Sequence, residues 1–269
     1  MATALQEWGK RLGERLINQP REAGEVYRTY IHPGDTVVVL GPSDSVFSDP
    51  TLCYVSRLLA RGGRVLVADP QSSEHPIRDN AHREEITSTV GPVAGIGDVH
   101  KHLEDLRMFR MAGIPLAVPE WLGPTSGIHA IGCLDESVDA IVDHATVFIA
   151  GFGMHMYREY AEAVLRKGFR ESHRVLKPGG VLLLQTHIVS YGDGVLPYKQ
   201  YLPDFLDESG FSVEERRVQD AFTIDVSRQA WETLKEQWNG KYSNKFTGKL
   251  RLLAHAYPSP DLLVCTKKG

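Results

Sequence analysis

Five small residues, Gly41-Pro42-Ser43-Asp44-Ser45, follow the apolar run Thr36 to Leu40. An acidic residue, Asp69, closes a second apolar run, Arg64 to Ala68, with Pro70 behind it. A small-residue turn at the end of a buried strand leaves backbone N–H groups open to a ligand, and a carboxylate ending the next strand can accept from two ribose hydroxyls. Together they are the grammar of a nucleotide-type ligand site, with the adenosyl end of a cofactor the first expectation. A second set of residues suits proton handling. Asp143-His144 ends the apolar run Val138 to Val142, and His187 follows Val181 to Leu184. Histidine titrates near neutrality and is the usual group for holding or moving a proton at a reacting atom. Tyr191 and His155 lie just beyond these runs, where each could touch substrate or pack in a loop.

The elements that would position these residues are legible from periodicity. Leu5, Trp8, Leu12, Leu16 and Ile17 recur at helical spacing until Pro20, so an amphipathic helix is expected over residues 3–18, part of an N-terminal helical cap over 1–30. Thr36 to Leu40 has the β-branched enrichment of a parallel strand buried on both faces. Thr51 to Arg61 reads as the crossover helix, stopped by Gly62-Gly63. A breaker-rich stretch at 71–97 reads as an insertion. A helix over Val99 to Met111, a strand over Ile114 to Val118, and a loop over Pro119 to Cys133 come next. A strand over Val138 to Val142, a long helix over Tyr157 to Leu176, the break Lys177-Pro178-Gly179-Gly180 and a strand over Val181 to Leu184 continue the alternation. Leu202 to Ser209, Gly210 and Phe211 to Val218 repeat helix, stop and strand, and Asp261 to Lys267 gives a last strand. Residues 219–260 form a second insertion whose Trp231, Leu234, Trp238, Tyr242, Phe246 and Tyr257 could line an apolar pocket, make a subunit contact as in a homodimer, or pack in the core. The pattern predicts an α/β fold: a doubly wound, Rossmann-like, mostly parallel sheet with helices on both faces and a ligand crevice at the strand C-termini.

Composition narrows the function classes. The chain has 269 residues, 42% hydrophobic and 24% charged, enough for one elaborated globular domain over 31–269. A net charge of -4 and a pI near 6.3 give no global basic field for nucleic acid. Cys53, Cys133 and Cys265 are odd in number and widely spaced, against both a disulfide framework and a cysteine-built zinc site, and the histidines lack HxxxH or HExxH spacing, so no metal is expected. Charged residues interrupt the N-terminal apolar positions, so no signal peptide, membrane span or membrane partner is expected and a cytoplasmic location follows.

The order of motifs resembles the class I S-adenosylmethionine-dependent methyltransferases over most of the chain, from about Tyr30 to Lys267. Four pieces carry the resemblance: the Gly41 turn, Asp69, the phrase Leu134-Asp135-Glu136-Ser137-Val138-Asp139-Ala140-Ile141-Val142, and Glu171-Ser172-His173-Arg174-Val175-Leu176-Lys177-Pro178-Gly179-Gly180. It implies S-adenosyl-L-methionine as cofactor, S-adenosyl-L-homocysteine as product, and a small-molecule nucleophile (O, N, S or C) as acceptor. By that resemblance Gly41, Pro42 and Ser43 line the methionine part with Asp44 and Ser45 close by, Asp69 binds the ribose hydroxyls, and Pro70 packs near the adenine. Gly127 and Ile128 fall where the adenine edge is read by a backbone N–H, with Glu120 the second candidate. Trp121 is expected to pack rather than stack on adenine. Asp143 would orient His144 or touch the methionine ammonium, and His144 or His187 would serve as base for an acceptor that carries a proton. No Asn/Asp-Pro-Pro-aromatic element of the kind that grips a flipped base is present, which argues against a nucleic-acid substrate. Two rivals stand beside this reading. One is an NAD-dependent Rossmann oxidoreductase, which calls for further glycines after Gly41; the other is a catalytically inactive methyltransferase-fold protein with a binding or regulatory role.

Overall fold

The computed structural model describes residues 21–42, 46, 49–69, 99–123, 126–128, 130–143, 158–186, 190–191, 194–195, 202–237, 246–253 and 261–269. Its strands are β1 (Arg21–Glu22), β2 (Thr36–Leu40), β3 (Arg64–Ala68), β4 (Pro119–Trp121), β5 (Val138–Asp143), β6 (Leu176–Thr186), β7 (Ser190–Tyr191), β8 (Gly194–Val195), β9 (Phe211–Gln219), β10 (Ala221–Asp225), β11 (Lys249–Leu253) and β12 (Asp261–Lys267). The helices are α1 (Ala23–Tyr30), α2 (Thr51–Leu58), α3 (Val99–Met111), α4 (Arg158–Val175), α5 (Leu202–Glu208) and α6 (Arg228–Gln237).

Eight strands form one sheet in the order β4-β3-β2-β5-β6-β12-β9-β1. Every neighbouring pair is parallel except the two made by β12, which runs antiparallel to both β6 and β9. From β2 the chain winds outward through β3 to β4, then returns to lay β5 on the other side of β2. That reversal puts a topological switch point between β2 and β5, the place where open α/β sheets hold ligands.

Strand alternation explains why both faces are covered. Val37 and Val39 face one buried cluster, with Tyr27 of α1, Tyr54 of α2, Phe109 of α3 and Trp231 of α6. Val38 and Leu40 face the other, with Leu165 and Phe169 of α4 and Phe205 of α5. Each fully buried large apolar side chain contributes about 1.5–3 kcal/mol of transfer free energy, which is why the apolar runs could be read from the sequence. Cys53 and Cys265 are buried free thiols, and Cys133 is half-buried; burial raises all three thiol pKa values.

Three boundaries differ from expectation for identifiable reasons. The strand expected at Ile114 to Val118 lies later, at β4. Ala117 instead donates its amide to the Ser56 carbonyl at 2.8 Å, and Arg57 donates to the Pro115 carbonyl, so this segment is tied to α2. Because Pro119 lacks an N–H, β4 belongs at a sheet edge, where it is found. Second, the Lys177 to Gly180 break is a looped-out irregularity within β6: Leu176 pairs with Val138, and pairing resumes at Val181 opposite Ala140. Gly179 turns there at φ 74°. Third, α2 ends at Leu58, and the expected stop at Gly62-Gly63 closes a short turn whose amides both reach the Leu59 carbonyl. The N-terminal helix at 3–18 and the 71–97 insertion lie outside the described residues. Within 219–260, β10 and β11 pair antiparallel with α6 between them in sequence, and Trp231, Leu234 and Phe246 pack in or against the core. Trp238, Tyr242 and Tyr257 lie outside the described residues.

Candidate active site

The sheet register builds the site. Leu40 is level with Ala68 on one side and with Asp143 on the other. The residues that leave β2, β3 and β5 at their C-terminal ends therefore emerge side by side. Gly41, at φ 48°, turns the chain where a residue with a Cβ is disfavoured, and donates its amide to the Ala68 carbonyl at 3.0 Å. Pro42 is buried behind it. Asp143 ends β5 and Asp69 follows β3, both as buried carboxylates. The structure thus brings together Gly41, Pro42, Asp69 and Asp143 of the expected set. Ser43, Asp44, Ser45, Pro70, His144, His155 and His187 lie outside the described residues, and Tyr191 is placed by its backbone in β7, paired with Gly194 of β8.

The candidates for the adenine edge fare differently. The Gly127 amide is already used: it donates to the Ala130 carbonyl at 3.0 Å, and the Ala130 amide returns the bond. Ile128 is buried in the second core cluster, its side chain against Gly168 of α4. Glu120 is held in a two-point ion pair by Arg64, at 2.7 and 3.2 Å. That arginine stands at the first position of β3, the end opposite Asp69, and the pair holds the Glu120 carboxyl below its ordinary pKa. An exposed pair of this kind contributes little to stability. Trp121 does pack, against the first core cluster, and its indole N–H donates to the Asp69 carbonyl at 3.1 Å.

A polar network missed by sequence reasoning adjoins this edge. The Tyr27 hydroxyl donates to Gln185 Oε1 at 3.2 Å, and Gln185 Nε2 donates to Asp220 Oδ1 at 2.7 Å. Burial above all, then the charges of Asp220, Asp49 and Asp143, push the Tyr27 phenol well above its ordinary pKa. Asp49 itself accepts the Thr51 amide at 2.9 Å, at the start of α2. In sequence Tyr27 looks like one more apolar position of α1, and Gln185 like an outward-facing strand residue. The one available signal was that Gln185 interrupts an apolar strand near its C-terminal end, where this fold class gathers ligands.

The strand order and the antiparallel β12 define an α/β protein with a doubly wound, mostly parallel sheet. No protein-family model and no curated protein matches the chain. Among solved structures it is similar to a TehB-like SAM-dependent methyltransferase from Corynebacterium glutamicum, at 15% identity and a TM-score of 0.44 over the whole of both chains. The YcgJ protein from Bacillus subtilis matches 91% of this chain and 97% of its own, at 13% identity and a TM-score of 0.46. A SAM-dependent methyltransferase from Methanosarcina mazei matches 90% of this chain and 97% of its own, at 13% identity and a TM-score of 0.42. With every one of these TM-scores below 0.5, the likenesses assign no residue a role. No described helix is long and apolar enough to cross a membrane.

Proposed function

We propose that this chain is an S-adenosylmethionine-dependent methyltransferase acting on a small-molecule nucleophile at O, N, S or C. The observation that carries the reading is the pair of buried carboxylates, Asp69 just past β3 and Asp143 at the end of β5, on either side of the Gly41 turn. Asp49 and Asp220 add buried negative charge felt at Tyr27 of the adjoining network. Such a rim suits a ligand with ribose hydroxyls at one end and sulfonium and ammonium charges at the other. Asp69 would serve an NAD ribose as well, but the glycines that would wrap a dinucleotide pyrophosphate after Gly41 are absent from the sequence.

When bound, S-adenosylmethionine supplies an electrophilic methyl group on its sulfonium sulfur. The chain's part is alignment and exclusion of water, since in-line displacement gains most from fixed geometry. Asp69 accepts from the ribose hydroxyls. Gly41 and Pro42, with Ser43, Asp44 and Ser45 beyond them, line the amino-acid end, and Asp143 takes its ammonium or orients His144. Pro70 lies beside the adenine, whose edge is left to the Ile128 segment because the Gly127 amide is used by Ala130. His144, with His187 and Tyr191, receives the proton of an acceptor that must lose one. The protein works in the cytoplasm on a diffusible substrate rather than on nucleic acid, as a monomer or homodimer.

Titration calorimetry with S-adenosylmethionine, S-adenosylhomocysteine and NAD tests this reading. Binding of the first two and not the third is expected; absence of both S-adenosyl ligands from the bound state would overturn it.

A further inference from the structure

Asp69 lies one residue beyond the sheet. The last ladder pairs of β3 are Leu40 with Ala68 on the β2 side and Val67 with Trp121 on the β4 side. A carboxylate so placed is no longer fixed by strand pairing, although a group that must meet two hydroxyls needs a fixed backbone. Trp121 reaches past the end of the ladder. Its indole N–H donates to the Asp69 carbonyl at 3.1 Å while its ring packs against the first core cluster. The chain leading into Asp69 is also tied down: the Leu122 amide donates to the Val67 carbonyl at 2.9 Å, and the Gly41 amide to the Ala68 carbonyl at 3.0 Å. Three successive carbonyls, those of Val67, Ala68 and Asp69, are therefore each held by a different neighbour, and the last hold comes from a side chain.

We propose that Trp121 is the positioning residue for Asp69, locking the peptide that carries the carboxylate so that it meets the ribose hydroxyls of the adenosyl ligand. The inference rests on the adenosyl-site reading above. It also explains why an edge strand of three residues ends on a large aromatic: the ring anchors the strand, and its one polar atom serves the site.

The test compares wild type with Trp121→Phe, which keeps an apolar ring and removes the donor, using S-adenosylhomocysteine and its 2′,3′-dideoxy analogue as probes. For S-adenosylhomocysteine the variant should bind about three- to tenfold more weakly, the scale of one net hydrogen bond. For the dideoxy analogue, which Asp69 cannot grip, the two proteins should bind alike. An unchanged affinity for S-adenosylhomocysteine, or an equal loss for both probes, overturns the positioning role. A wild-type protein that binds neither probe overturns the adenosyl-site reading itself, and that result is visible before any variant is made. If Trp121→Phe does not fold, benzothienylalanine at position 121 replaces the N–H by sulfur in a ring of nearly the same shape, and the same two ratios decide.

Discussion

The amide of Gly41 donates to the carbonyl of Ala68 at 3.0 Å, joining the turn after one strand to the end of the next. This bond sets where the loop beyond β2 begins, and it forms with Gly41 at φ 48°. An L-residue with a side chain pays about 1–2 kcal/mol to enter the left-handed region, and at such a position alanine loses more than it gains from stiffening the unfolded chain. Gly41→Ala is therefore expected to destabilise the protein by about 1 kcal/mol and to weaken S-adenosylhomocysteine binding. Urea unfolding with and without the ligand measures both. Stability equal to wild type would mean that the turn does not need its glycine.

Asp69 is buried just past the end of β3, where the proposed site puts the ribose hydroxyls. Asp69→Ala should weaken S-adenosylhomocysteine binding by about 1.5–3 kcal/mol, the range for hydrogen bonds to a charged group. Calorimetry measures it directly. An affinity equal to wild type would mean that the ribose lies elsewhere.

The strands that position this pair were legible because buried parallel strands must be continuously apolar and must end where the chain turns polar. β2, β3, β12 and α3 appear at the residues expected, and β5 extends one residue further, to Asp143. β4 was not legible: a three-residue edge strand opening on proline has no periodicity to read, and the hydrogen bonds that hold its approach come from Ser56 and Arg57, far away in sequence. The turn at Gly127 was not legible either, because its amide is taken by Ala130 in a local bridge that sequence spacing does not encode. Long-range polar pairs such as Tyr27 with Gln185 are invisible to any local pattern.

His173 offers a test at acid pH. Its ring stands edge-on to Phe211, with centroids 5.5 Å apart, and packs over Gly210. Burial first, then the nearby Lys267 ammonium, hold its pKa below the ordinary 6.5, against a smaller opposing pull from Glu136. A lowered folded pKa means that the unfolded chain takes up the proton first. The stability it contributes is thus present above about pH 6.5 and lost as pH falls through the folded value. His173→Gln should flatten the loss of stability from pH 6.5 downward, as read by urea unfolding. An acid slope equal to that of wild type would remove His173 as its source.

Tyr27 makes the opposite prediction at alkaline pH. Its phenol is fully buried, donates to Gln185, and is held well above the ordinary value of 10.0 by burial and by Asp220, Asp49 and Asp143. Above pH 10 the unfolded chain releases this proton while the folded chain keeps it, so stability falls as pH rises, by up to about 1.4 kcal/mol per pH unit from this one group. Tyr27→Phe keeps the ring against Phe222, whose centroid lies 5.4 Å away, but leaves Gln185 Oε1 without this donor. At pH 7 the variant should be less stable by about 1 kcal/mol. Between pH 10 and 11 the gap between the two proteins should narrow, because only the wild type has a phenol to titrate on unfolding. Urea unfolding at pH 7, 10 and 11 measures the gap, and a constant difference across the series would show that the Tyr27 proton is not linked to folding.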